Sequence, residues 1–418
     1  MTFYTTPLFS YCPIRFSDIG CFILLYLSIK NNFKIKLTPN SIVAISLILW
    51  CVVDSLILSF YPSFSIINHY TQFFRLFFAL LLYIYLPNLW DKVKIQTVIE
   101  ALKLVLTIHL IIQLGYCVLY HIGFVNIFNI VSSYEERSNL ISSNYLFFNH
   151  LIIINIASGS PRFSGIFEEP AWFGWTLNLI IAIILQYQYQ TKRKVLTSRD
   201  YLLIFCGYLL TLSVSAIVSL IIIMGIYYYL KNKKHKFKFL LALISVVICG
   251  IVAVITFSNS MASRISAIIA GNDGSSNFRL IGSWNGLVTL LYNDPLFGYG
   301  LGDDNKNLYY SALNSGAFHG ISLNGLDIID MHNMLFQIIC NLGILGGVLF
   351  IGLLYGLSFK KALIIIVAIV LTYFTVNVFN NFFFFSIISI ATFYWNNRVK
   401  SNSRLLYDTQ DNTLLLVK

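Results

Sequence analysis

Charge is scarce in this sequence. Only 11% of its 418 residues are Asp, Glu, Lys or Arg, where a soluble domain carries about 25%. Hydrophobic residues make up 57%, and mean hydropathy is +0.76. A globule of this length could bury a large core, but it could not hide so much apolar surface all round. No CxxC and no Cys/His ligand spacing occurs. The seven cysteines (Cys12, Cys21, Cys51, Cys117, Cys206, Cys249 and Cys340) lie mostly inside apolar blocks, which argues against a disulfide framework and against a zinc site. No small-residue cleavage site follows an early apolar core, so no cleavable signal peptide is read. Internal repeats are also missing. The net charge of +11 would suggest nucleic acid in a soluble protein. Here the basic residues sit between apolar blocks and read as topology signals.

What is present is a series of apolar blocks near the ~20 residues needed to cross a bilayer. In lipid such blocks must be helical, because every backbone N–H and C=O needs an internal partner. Spans are expected at about 17–29, 41–61, 66–87, 97–122, 165–187, 201–212, 214–230, 239–257, 334–357, 362–379 and 382–395. The expected fold class is therefore all-α: a polytopic transmembrane helical bundle of about 11 spans, with residues 1–418 forming a single integral membrane domain. The stretch 201–230 is long for one helix and short for two. Ser213 and Ser215 interrupt it, and basic clusters flank both ends, so it reads as a hairpin of short spans.

Basic residues set the orientation. Lys30, Lys34 and Lys36, Lys92 and Lys94, the cluster from Lys192 to Arg199, the cluster from Lys231 to Lys238, Lys360 and Lys361 all fall on alternate connections. The tail adds Arg398, Lys400, Arg404 and Lys418. Most of the 28 basic residues thus share one side, which the positive-inside rule makes the cytoplasm. Two long connections, 123–164 and 258–333, then lie outside. They hold few basic residues: Arg137, Arg162, Arg264, Arg279 and Lys306. Within the second, Leu280, Trp284, Leu287, Val288 and Leu291 recur at helical spacing, predicting an amphipathic helix over 279–291 with Asn277 as its N-cap. Residues 1–16 fall outside as well and are too short to span.

Three outer clusters hold the candidate chemistry. The first runs from Pro161 to Trp175, where the first long loop enters a helix. Pro170 suits the first helical position, with Glu169 just before it. Structurally, Glu168 and Glu169 would stabilise the positive helix end while Trp172 and Trp175 anchor it at the interface. Functionally, Arg162 would bind an anion and a glutamate would take a proton, since charge at a membrane boundary is costly. The second cluster is Arg279 followed by Asp294 to Asp304. Its glycines at 298, 300 and 302 do not make a dinucleotide loop, because no strand precedes them and the spacing is wrong. They read as a tight turn feeding an irregular loop. Asp303 and Asp304 supply only half of a calcium loop. The third cluster is Asp330-Met331-His332-Asn333. A neutral His332 imidazole is a proton acceptor near neutrality, and Asn333 could cap the following helix. Inside the spans, Asp54, Arg75, Lys103 and His109 are candidates for internal pairing, Arg75 with Asp54 in particular, with a proton or ion pathway as the alternative.

These clusters, in this order, resemble the superfamily of Wzy-type O-antigen polymerases and O-antigen ligases. The resemblance rests on RFSGIFEEPAWFG at 162–174, TLSVSA at 211–216, Arg279 with Trp284, DPLFGYGLG at 294–302 and DMHNMLFQIICNLGILGGVLF at 330–350. It covers the chain from about residue 160 onward, and the EEP after GIF looks more like a polymerase than a ligase. It implies a GT-C-like, metal-independent and cofactor-free glycosyltransferase in the bacterial inner membrane, with its active site facing the periplasm. The implied reaction joins undecaprenyl-pyrophosphate-linked oligosaccharide repeat units into O-antigen or capsular polysaccharide. A chain-length regulator is an implied partner and nucleic acid is not. Carried over by position, Arg162 and Arg279 would bind the pyrophosphate, Glu169 and His332 would sit near the acceptor hydroxyl as catalytic groups, and Glu168 and Asn333 would contact substrate. An O-antigen ligase acting on lipid A-core is the nearest alternative, and a transporter of lipid-linked oligosaccharide the next. Two departures stand out. Val214 occupies a position where the family often has a basic residue. One more span commonly precedes the segment corresponding to Arg15–Asp18, so the start of the chain is expected to lack it.

Overall fold

The computed structural model describes residues 7–9, 12–31, 35, 38–60, 66–131, 153–157, 160–167, 169–231, 284, 287–288, 290–291, 295–301, 333–375 and 381–395. Ten long helices carry the fold among them: α1 (Phe16–Asn31), α2 (Pro39–Leu58), α3 (Ile66–Trp90), α4 (Ile95–His121), α5 (Pro170–Thr191), α6 (Ser198–Thr211), α7 (Val214–Lys231), α8 (Met334–Gly352), α9 (Phe359–Thr375) and α10 (Phe382–Trp395). Each coincides with an expected span; the expected span at 239–257 lies outside the described residues. Among the described residues, six helices are long and apolar enough to cross a membrane. α6 and α10 have 14 residues each, about 21 Å at 1.5 Å per residue, so the count of eleven spans is not established.

Two small sheets accompany the helices. A hairpin pairs β1 (Pro7–Phe9) with β2 (Cys12–Arg15). The other has the order β3 (Asn129–Val131), β4 (Ile153–Ala157), β5 (Ser160–Arg162), parallel then antiparallel. Strands were not foreseen in the first long connection. They tie that connection to the end of α4, where Phe128 and Phe163 pack on Tyr120.

α5 is the central helix. In its membrane-length window 89% of residues are buried, against 28% for α4 and for α7. A helix apolar on all sides belongs inside a bundle. Its buried amides staple the neighbours to it. Gln188 accepts from the backbone N–H of Val195 at 2.9 Å and of Leu196 at 3.0 Å, and donates to the hydroxyls of Tyr201 and Tyr227. Gln186 donates to the carbonyl of Lys361 at 2.6 Å and accepts from Ile364 N–H at 3.1 Å. α9 leaves helical geometry at Ala362 (φ −130°, ψ 22°), and this one side chain bridges the interrupted turn.

The same contacts establish the 201–230 hairpin. Tyr201 and Tyr227 both meet Gln188 near the C-terminal end of α5. Tyr208 donates to Asn178 at 2.8 Å, and Asn178 donates to the Ala216 carbonyl at 3.3 Å, near the N-terminal end. α6 therefore runs up α5 and α7 runs back down. The reversal falls at Leu212, which takes a left-handed conformation (φ 46°), and Ser213. Lys192, Lys194, Arg199 and Lys231 consequently lie at one end of the bundle. Lys103 joins them there, bonded to Asp200 at 2.9 Å and to the Val195 carbonyl at 3.0 Å. At that basic end Asn40, Tyr83 and Leu353 also form a node that links α2, α3 and the end of α8.

α8 is broken. Gly343 sits at φ 68°, ψ −177°, and a Cβ there would overlap the carbonyl oxygen of Leu296. Only glycine permits both the dihedral and the approach. Residues 295–301 lie along the break: Tyr299 N–H donates to Cys340 O at 2.7 Å, Gly300 N–H to Asn341 O at 2.9 Å, and Ile344 N–H to Pro295 O at 2.9 Å. The indole of Trp50 donates to Leu342 O at 2.8 Å and stacks on Phe297. The expected tight turn and irregular segment is present at Gly298 and Gly300, with Gly302 outside the described residues, and it repairs the backbone bonds that the kink releases. In the expected amphipathic stretch, residues 284, 287, 288, 290 and 291 are helical. Leu290, which was not in the predicted pattern, is the buried one, whereas Trp284 and Leu291 are exposed. The Asn277 cap lies outside the described residues.

Candidate functional site

The first cluster is built at the end of the bundle opposite Lys192 and Lys231. β5 ends on Arg162, and the chain then crosses the end of α6: Phe163 N–H donates to Leu210 O at 2.9 Å, and Arg162 Nε to Thr211 O at 3.1 Å. Thr211 is the last residue of α6, so its carbonyl has no partner within the helix and carries the negative end of the dipole. A guanidinium is well suited to it. Gln113, buried on α4, holds the crossing from below by donating to Phe163 O at 2.6 Å and to Gly207 O at 2.7 Å.

After Arg162 the chain makes a turn. Ser164 Oγ donates to Phe167 O at 2.7 Å, Gly165 has φ 58°, and Phe167 packs against His109 and Phe173. Glu169 is the N-cap of α5, in extended conformation, and Pro170 is its first residue, as the sequence predicts. The Glu169 side chain makes no capping bond. Its charge still lies at the positive helix end.

A narrow cleft lies between α5, α7 and α9, lined by Trp175, Asn178, Ser215, Ser219 and Thr372 among others. Ser215 lies four residues past Thr211 and 3.4 Å from the Ser213 hydroxyl, so the cleft adjoins the corner held by Arg162. Trp175 is 3% exposed and packs on Phe383, and its indole N–H is buried without a hydrogen bond. It is a wall of the cleft and does not anchor the helix at an interface, because α5 is buried on every side. Asn178 and Ser219 were not singled out from sequence. For Asn178 the signal was a polar residue one helical turn from Trp175 in an otherwise apolar run, and Ser219 stands one turn past Ser215.

Asn333, from the third cluster, is buried and caps α8, its Oδ1 accepting from Phe336 N–H at 3.3 Å. Its Nδ2 is buried without a hydrogen bond. Glu168, Arg279 and His332, with Asp303, Asp304 and Asp330, lie outside the described residues. Arg162 and Glu169 are brought to one corner; Asn333 stands at the head of a different helix. The expected Asp54–Arg75 pair is not formed, since neither Asp54 oxygen has a hydrogen-bond partner. Lys103 is paired, with Asp200. His109 is buried on α4, its Nδ1 2.6 Å from Val105 O. Among the described residues no group of three His, Cys, Asp or Glu could hold a metal ion.

Residues 201–351 match the family model described as O-antigen ligase. This stretch runs from the hairpin that receives Arg162 to the broken helix α8, and the match is consistent with the O-antigen ligase/polymerase superfamily, whose members are glycosyltransferase-like enzymes. No curated protein matches the chain.

Proposed function

We propose, from a chain whose residues 201–351 carry that family match, that the protein is a polysaccharide polymerase. It joins oligosaccharide repeat units carried on undecaprenyl pyrophosphate, at the end of the bundle where Arg162 lies. The observation that carries the reading is Arg162 fixed at the C-terminus of α6 by its hydrogen bond to Thr211, four residues before Ser215 in a narrow cleft of hydroxyls, an amide and an indole.

In this reaction the acceptor sugar hydroxyl attacks the anomeric carbon of the donor. The new C–O bond forms as the bond to the pyrophosphate oxygen breaks, and the electron pair leaves with the lipid diphosphate. Displacement in one step inverts the anomeric centre. Guanidinium groups lower the barrier because they meet the charge that develops on the leaving group, bind phosphate oxygens bidentately and stay ionised. Arg162 takes that role, with Arg279 as its partner from the second long connection. The proton of the attacking hydroxyl passes to Glu169 or His332, a transfer worth about 10²–10⁴-fold in rate. Glu168 and Asn333 hold the sugars. The active site faces the periplasm, and the protein sits in the bacterial inner membrane with a chain-length regulator as a partner.

The test is lipopolysaccharide gel analysis of a deletion strain complemented with Arg162→Ala or Arg279→Ala. Loss of the ladder is expected, and a normal ladder from both variants would overturn the assignment. A second reading is favoured by the family description itself: an O-antigen ligase would use the same donor and transfer it to lipid A-core. Polymer accumulating on undecaprenyl pyrophosphate in cells without any ligase supports the polymerase, and its absence supports the ligase.

A further inference from the structure

Asp54 on α2 is fully buried, and neither carboxylate oxygen makes a hydrogen bond. A bare carboxylate in a low-dielectric interior is too costly to persist. Something must neutralise it.

Its surroundings indicate what. Trp50 and Leu58 lie one helical turn to either side on the same face of α2. Trp50 is bonded to Leu342 O at the break in α8, and Leu58 meets Gly300 of the inserted segment. Asp54 therefore lies against the point where α8 loses helical geometry at Gly343. There the carbonyls of Cys340, Asn341 and Leu342 accept from Tyr299, Gly300 and Trp50. Each such oxygen keeps a second lone pair. Beside Asp54, the Ser55 hydroxyl is 2.6 Å from Cys51 O and 2.7 Å from His69 Nε2. A buried acid next to unwound backbone carbonyls is the arrangement by which membrane helices bind small cations. One carboxylate, with no group of three His, Cys, Asp or Glu among the described residues, sets the charge at plus one.

We infer that Asp54, at the break in α8, binds a monovalent cation, either sodium or a proton. Bound there, the cation allows residues 295–301 to stay packed between α2 and the broken helix. Without it, the uncompensated buried charge of the carboxylate works against that packing. The inference is independent of the reaction proposed above. The titratable groups on the elements around Asp54 are Cys51 on its own helix, His69, Tyr70, Arg75, Tyr83 and Tyr85 on α3, Tyr299 on the inserted segment and Cys340 on α8.

The full-length protein in detergent or nanodiscs is treated with a hydrophobic carbodiimide, which modifies protonated buried carboxyls, and Asp54 is followed by mass spectrometry. If sodium is the occupant, modification falls when sodium chloride replaces choline chloride, by about tenfold at ten times the dissociation constant. If a proton is the occupant, modification is insensitive to sodium and falls as pH rises. Modification that ignores both, or is absent throughout, overturns the inference. In parallel, a sodium-dependent shift in melting temperature of the natural chain should vanish in Asp54→Asn, and a pH-dependent one should shrink to what Asp200 and the other groups leave; the variant keeps His69 and both thiols. Equal shifts in the two proteins also overturn it. If Asp54→Asn does not fold, the carbodiimide result on the natural chain decides.

Discussion

Because the Arg162 Nε–H donates to the carbonyl on which α6 ends, that side chain stabilises a helix terminus as well as carrying charge toward the cleft. The two roles separate by substitution. Arg162→Lys keeps the charge but loses the planar donor, so a structural loss of about 1–2 kcal/mol is expected; thermal denaturation measures it. Arg162→Ala should lose at least as much stability and, in addition, polymer formation, which the gel ladder reads. Asp200 offers a pH test at the other end. Partial burial works against its charge, but the Thr197 N–H and hydroxyl and the Lys103 ammonium outweigh that and hold its carboxyl below the ordinary value. A depressed carboxylate stabilises the fold above its unfolded pKa, about 3.9, and that contribution is lost as pH falls through the lower folded value. Asp200→Asn should therefore cost stability at neutral pH and nothing in strong acid. An equal loss at both pH values would contradict the assigned partners. Lys103 was not legible from sequence as a partner of Asp200, because it is 97 residues away, whereas Thr197 stands three residues before it in a capping box.

The helix α8 shows what a single element can and cannot announce. Its apolar run from Met334 and the capping role of Asn333 were visible in the spacing. The break was not, since Gly343 in a glycine-containing apolar stretch looks like any packing glycine. What decides it is a second segment: Pro295 to Leu301 supplies the donors and acceptor that a broken helix needs, and the break in turn gives that segment a place to bind. Gly343→Ala forces a methyl group into the Leu296 carbonyl and a strained backbone angle. A loss of about 3 kcal/mol or more is expected, with faster proteolysis in 295–301 than anywhere in α5. The hairpin of α6 and α7 is the opposite case. Serines within the apolar run and basic residues at both ends predicted the reversal, and Leu212 makes it.

At the scale of the whole molecule, the hairpin determines which basic clusters share a side. Because α6 and α7 return to the same end of α5, Lys194 and Lys231 should be labelled from one face of the membrane. Ile122, exposed at the far end of α4, should be labelled from the other. Single cysteines at these three positions, probed with an impermeant thiol reagent in intact cells and in inverted vesicles, test the arrangement. Labelling of Lys194→Cys and Lys231→Cys from opposite faces would show that 198–231 crosses once. The free cysteines at 21, 51 and 340 are buried and give little background, while Cys12, Cys117, Cys206 and Cys249 are better replaced by serine.

Composition and spacing alone determined that this is a helical membrane chain and where its described helices begin and end, to within about five residues. Hydrophobicity and backbone hydrogen bonding act locally, so a linear pattern records them. Only the tertiary structure decided that α5 is the central helix, that Trp175 lines a cleft, that Arg162 closes the end of α6, and that Asp54 faces a broken helix with no ion partner. Those outcomes depend on which faces meet across long separations in the chain, and packing makes that choice after the helices have formed.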